Sequence, residues 1–115
     1  MINIDDFAKL EIKIGKIVAI EKVPETDKLL KLTVEMGEEK PRQIISGISL
    51  YFPDPQVLVG TKCAFLANLE PRVIKGLESQ GMILAVSTPN NEDGTPGAFS
   101  VLKVSEDIPE GTRIK

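Results

Sequence analysis

The sequence predicts an all-β fold, a five-stranded OB-like barrel with a short helix between strands 3 and 4 and a C-terminal β extension. Three observations point there. Short β-rich runs alternate with turn residues, the first run slips in phase beside Gly15, and helix-cap signals fall between the third and fourth runs. An SH3-like barrel or an immunoglobulin-like sandwich also uses short strands, but neither accounts as well for the helix position.

A short capped turn opens the chain, with Asp5 or Asp6 as N-cap and Phe7 and Leu10 facing inward at helical spacing. Residues 11–20 read as a long strand. Ile12 and Ile14 share a face, Lys16 breaks the alternation, and Ile17 and Ala19 resume it out of phase. A bulge beside Gly15 explains the slip and would bend the strand around a barrel corner. A turn through Pro24-Glu25-Thr26-Asp27 leads to a second strand that begins at Lys28 and sets Leu30, Leu32 and Val34 on one face. Residues 36–40 form a hairpin loop, and Arg42 to Ser46 a third strand. Asp54 as N-cap, Pro55 at the first helical position and Gly60 as terminator enclose a short helical turn. Lys62 to Leu66, Met82 to Val86 and Phe99 to Val104 are further strands, with a polar loop over residues 87–97 and a turn at residues 108–111. The expected organisation is one domain over residues 1–115, with a barrel core of about residues 7–86 and an extension of about residues 87–115 that covers the barrel or serves an interface.

Composition narrows the chemistry. At 42% apolar and 27% charged, the chain belongs with globular proteins rather than disordered ones. Its apolar runs are too short to span a bilayer, and the N-terminus lacks a basic start and an apolar stretch. A cytoplasmic protein with no membrane partner is expected. Cys63 is the single cysteine and there is no histidine, which removes an internal disulfide, a zinc site and every Ser-His or Cys-His nucleophile. The expectation is a binding module rather than an enzyme, with no catalytic residues, cofactor or metal. Cys63, beside Ala64 and Phe65, reads as core.

Fourteen Lys and Arg against seventeen Asp and Glu leave a net charge of −3, the opposite of a nonspecific polyanion binder. A local basic stripe would matter more than the total. One Tyr, four Phe and no Trp argue against extensive base stacking. The connection from Asn68 to Met82 carries Gly76, Gly81, the neutral hydrogen-bonding groups of Asn68 and Ser79, and the cations Arg72 and Lys75. In an OB barrel the loop between the fourth and fifth strands lines the ligand face. Lys28, Arg42 and Lys75 could converge there. On residue chemistry alone, a solvated loop whose Asn and Ser satisfy nearby backbone is the simpler account.

Four blocks in fixed order change that balance. Residues 7–17 (FAKLEIKIGKI), Asp27-Lys28-Leu29, residues 42–47 (RQIISG) with Ala67-Asn68-Leu69, and residues 75–85 (KGLESQGMILA) resemble the tRNA-binding domain family. The resemblance runs from about residue 7 to residue 113. That family includes the C-terminal domain or separate beta subunit of methionyl-tRNA synthetases, standalone structure-specific tRNA-binding proteins and secretion-chaperone-like relatives. The resemblance implies an OB-fold, a symmetric homodimer built partly by residues beyond the barrel, and a site that reads tRNA shape and backbone.

Carried over by position, the RNA-binding set is Lys28, Arg42, Asn68, Arg72, Lys75, Ser79 and Met82. The four cations would neutralise phosphates, Asn68 and Ser79 would bond sugar or backbone, and Met82 would pack nearby. Gly76 and Gly81 would let the chain approach closely. Glu70 departs from the pattern, standing where a lysine often precedes the proline, and its carboxylate would repel phosphate. The expected function is that of a noncatalytic tRNA-binding accessory module of methionyl-tRNA synthetase, as a beta subunit acting in trans or as a C-terminal domain. The alternative is a chaperone-like dimer that uses the same groove for peptides.

Overall fold

The computed structural model describes residues 1–115. Helix α1 (Ile4–Ala8) opens the chain, and its N-cap is Asn3 rather than Asp5 or Asp6. The Asn3 side chain accepts the Asp6 N–H at 2.9 Å while the Asp6 carboxylate accepts the Asn3 N–H at 3.3 Å. Asn and Asp cap equally well, so only this reciprocal box sets the register. Phe7 is half-buried, but Leu10 stays 40% exposed because the helix ends before a second turn can carry it inward.

Nine strands follow: β1 (Ile12–Lys22), β2 (Leu30–Glu35), β3 (Arg42–Ser46), β4 (Lys62–Leu66), β5 (Arg72–Ile74), β6 (Leu77–Ser79), β7 (Met82–Ile83), β8 (Ala85–Ser87) and β9 (Phe99–Val101). The main sheet has the order β3-β2-β1-β4-β7, all antiparallel. It curls into a nearly closed OB-like barrel. No helix is long and apolar enough to cross a membrane.

β1 serves two neighbours. Ile12–Lys16 pair with β4, and Lys16–Lys22 pair with β2. The bulge lies between Ile17 and Ala19, three residues beyond the position expected beside Gly15. It turns both Ile17 and Ile20 into the core. Gly15 has a different task. A Cβ there would stand 2.5 Å from Val34 Cγ1 and 2.9 Å from Phe65 Cδ1, so bare backbone lets these two side chains meet over the strand. Phe65, Ile17, Leu30, Leu32, Ile44 and Leu58 fill the interior. Cys63 is buried with them, and desolvation pushes its thiol pKa up, which makes it a core residue and a poor nucleophile.

Leu58 reaches the core from a 3₁₀ turn (Pro55–Leu58), started as expected by Asp54, whose carboxylate accepts the Gln56 N–H at 3.2 Å. A second 3₁₀ turn (Ser49–Tyr51), not foreseen from the sequence, precedes it. The run expected as one strand from Met82 to Val86 divides at Leu84: β7 stays on β4, and β8 departs to pair with β9. Residues beyond β9 then fill edges that the short strands leave open. Ala64 N–H donates to Leu102 O, and Val104 N–H to Lys62 O, both at 3.0 Å. Ile14 N–H donates to Thr112 O at 2.8 Å, on the part of β1 that β2 does not reach.

Candidate nucleic-acid interface

The connection between β4 and β7, expected as a long loop, contains the β5–β6 hairpin. Its two-residue turn is Lys75-Gly76, with φ of 51° and 79° at the two positions. Both residues are left-handed, which is the geometry that matches strand twist in a tight hairpin. Gly76 adopts it freely, and a Cβ there would meet nothing within 4 Å. Lys75 adopts it at a cost of roughly 1 kcal/mol, and in return its side chain stands at the exposed tip. Three-residue strands without a clear alternation gave no signal for this hairpin.

Lys28 and Lys75 line one groove of about 390 Å³, floored by Leu29 and Ile74 and rimmed by Glu25 and Asp27. Lys28 lies in the turn ahead of β2 rather than at its start. Ile74 also lines a shallow pocket with Arg72, Met82 and Glu70. The two depressions share Ile74 as a wall, and Lys28, Lys75, Arg72 and Met82 border this adjacent pair as one strip. None of these three cations has a carboxylate within 4.0 Å, whereas Lys9, Lys13, Lys31, Arg42 and Lys62 are paired. Lys16, Lys22, Lys40, Lys103, Arg113 and Lys115 also lack a carboxylate partner, so it is the grouping along one strip that sets Lys28, Arg72 and Lys75 apart. Met82 is 44% exposed on β7.

The remaining expected polar site residues are engaged by the protein's own groups. Arg42 donates from Nε and Nη2 to the two Glu38 carboxylate oxygens, each at 2.7 Å. Its Nη1 donates to Ala67 O at 2.5 Å and Gln80 O at 3.1 Å. Asn68 Nδ2 donates to Lys9 O at 2.7 Å, and its Oδ1 accepts the Glu11 N–H at 2.8 Å. Ser79 is buried, accepts the Ile45 N–H at 3.0 Å and donates to Gly81 O at 3.1 Å. Gly81 is packed on one side, where a Cβ would lie 3.1 Å from Leu66 O, and on the other it lines the pocket of Arg72 and Met82. The seven expected contact residues thus divide into a strip without internal carboxylate partners (Lys28, Arg72, Lys75, Met82) and a set held by the protein's own hydrogen bonds (Arg42, Asn68, Ser79), of which Ser79 is buried and Asn68 stays exposed. A sequence motif marks both groups alike, because it records residue type and not direction.

The Arg42 hydrogen bonds hold the Glu38 carboxyl below its ordinary value, against partial desolvation. With the folded value below the unfolded one, the pair stabilises the fold above the usual glutamate value of 4.5 and loses that contribution as pH falls through the lowered folded value. Thermal melts between neutral pH and pH near 3 should therefore show a larger loss for the native chain than for Glu38→Ala. Equal losses would mean that the pair adds nothing to acid sensitivity.

A family model described as "Putative tRNA binding domain" matches residues 12–113. The chain belongs to the tRNA-binding domain family. Among curated relatives of this family member, methionine–tRNA ligase of Deinococcus radiodurans is 44% identical over 115 residues, covering 100% of the chain and 16% of the ligase. Methionine–tRNA ligase of Methanosarcina mazei is 42% identical over 116 residues, covering 100% of the chain and 15% of the ligase. The chain thus spans about one-sixth of the length of the curated relatives it matches.

Two solved structures superpose over the whole chain. A MetRS related protein from Pyrococcus horikoshii has a TM-score of 0.86 at 36% identity, with 98% of that protein covered. Chaperone CsaA from Bacillus anthracis str. Ames has a TM-score of 0.79 at 26% identity, with 99% covered. The first supports the family assignment, and the second shows a chaperone-named protein with the same fold.

Proposed function

We propose that this chain is a noncatalytic module that holds tRNA by its shape and backbone and serves methionyl-tRNA synthetase, as a beta subunit in trans or as a C-terminal domain. The observation that carries the reading is the strip of three cations without carboxylate partners on and beside the β5–β6 hairpin. Arg72 and Lys75 stand on the hairpin and Lys28 faces Lys75 across the groove. Cations without a stacking platform suit phosphate contacts, which position a nucleic acid without reading its bases. Such a module raises the effective concentration of tRNA at a catalytic subunit that supplies specificity.

The reading includes a homodimer. Tyr51 and Phe99 stack at a centroid distance of 4.2 Å, and Phe99 and the exposed Val86 line a groove of about 190 Å³ on the paired β8–β9 ribbon. This apolar face suits self-association and gives the extension its role in the cytoplasmic complex we envisage. A sedimentation mass of one chain would remove that element.

The central test is fluorescence anisotropy of labelled tRNA over a salt series, with unstructured and simple duplex RNA as competitors. Binding that weakens with salt and resists both competitors is expected. Failure to bind at low salt by a well-folded protein overturns the reading. A second reading, a chaperone-like dimer that takes peptides in the same groove, draws on the likeness to CsaA, the net charge of −3 and Glu70 beside Arg72. Peptide binding that persists at high salt without tRNA binding would favour it.

A further inference from the structure

Arg42 occupies an unusual position in the barrel wall. Its Nη1 reaches Ala67 O, the residue that leaves β4, and Gln80 O, two residues before β7. One nitrogen therefore grips both roots of the segment that carries the β5–β6 hairpin. The opposite edge of the guanidinium is held by Glu38 in a bidentate pair. Four of the five N–H groups are thereby engaged, and the edge that a phosphate would take in a forked contact belongs to a carboxylate.

Side chains complete the seam. Gln43 N–H donates to Gln80 Oε1 at 2.9 Å, Gln80 N–H donates to Gln43 O at 2.8 Å, and Gln43 Nε2 donates to Glu78 O at 2.9 Å. The β3 edge thus meets the second arm of the hairpin mainly through polar side chains. Such a seam can shift without unfolding the sheet, and the Glu38–Arg42 pair is the charged fastener at its end.

We infer that Glu38 and Arg42 are positioning residues: the pair clamps both roots of the hairpin and so fixes where Arg72 and Lys75 present their charges to RNA. The inference rests on the tRNA-binding reading. It assigns an acidic residue a supporting role in binding a polyanion, and it takes Arg42 out of the phosphate-contacting set.

The sign of one effect separates this from simple electrostatics. Glu38→Ala makes the net charge of −3 one unit less negative and frees the guanidinium. A phosphate-contacting Arg42 would then bind tRNA more tightly. The clamp requires the opposite, a loss of about three- to tenfold, the scale of one ordinary hydrogen bond converted at tenfold per 1.4 kcal/mol, because the pair acts on binding only through the hairpin. Arg42→Lys keeps the charge but cannot span Glu38 and both carbonyls, and should lose affinity to a similar degree.

The experiment combines anisotropy with labelled tRNA at two salt concentrations and amide hydrogen exchange in the free proteins, for the native chain, Glu38→Ala and Arg42→Lys. Weaker binding by both variants, with faster exchange at the Gln80 amide, is the expected result. Unchanged or tighter binding by Glu38→Ala overturns the inference, as does Gln80 exchange at the native rate in both variants. If Glu38→Ala fails to fold, Arg42→Lys decides by the same two readouts. Absence of tRNA binding by the native chain overturns the functional reading and the RNA part of the inference together, while the exchange data still judge the clamp itself.

Discussion

Replacing Arg72 and Lys75 together by alanine should weaken tRNA binding by about ten- to a hundredfold at moderate salt, the loss of two solvent-exposed, salt-screened phosphate contacts at about 0.7 to 1.4 kcal/mol each. Both side chains stand on the exposed hairpin and neither has a carboxylate partner, so their charge is free for a ligand. The salt dependence should change with the affinity. Each phosphate contact contributes about 0.7 to 0.9 to the slope of log K against log salt, so the double variant should show a slope shallower by roughly 1.5. The fold should be unaffected, because the hairpin makes its hydrogen bonds to β3 through Glu78, Ser79 and Gln80. A double variant that binds like the native chain, with the native salt slope, would move the RNA site away from this strip. Glu70 supplies a companion result: Glu70→Lys adds a cation to the Arg72 pocket and should tighten binding.

Phe65→Ala is the substitution expected to cost most in stability, about 3 to 5 kcal/mol, the usual range for emptying a buried aromatic site. Phe65 is fully buried on β4 and packs over Gly15 beside Val34. Total stabilities of small proteins are about 5 to 15 kcal/mol, so much of the margin would vanish and the melting temperature should fall by more than about 10 °C. Gly15→Ala disturbs the same place by overfilling it, at a cost of roughly 1 to 3 kcal/mol, since both neighbours are themselves packed and the strand must move. Differential scanning calorimetry of the two variants checks the pair. A Phe65→Ala protein that melts near the native temperature would mean that the barrel collapses readily around the space.

Much of the barrel was legible because period-two alternation is a local signal. Leu30, Leu32 and Val34 announced β2 and are its buried face. Asp54, Pro55 and Gly60 marked the turn that carries Leu58 inward. The errors share one cause. The cap at Asn3, the bulge at Val18 and the split at Leu84 depend on partners distant in sequence or on a register that several neighbouring residues could satisfy. The β5–β6 hairpin left no periodic trace because each strand has three residues.

The site was legible as composition but not as direction. The ordered motifs were enough to indicate the family and to place Asn68, Arg72, Lys75 and Ser79 in one connection. Tertiary structure alone decided which of them are already bonded within the protein. Arg42, Asn68 and Ser79 bond backbone atoms 25, 57 and 34 positions away, while Lys28, Arg72 and Lys75 are left free. Side-chain chemistry is a property of each residue, but the partner that consumes it is delivered by the fold.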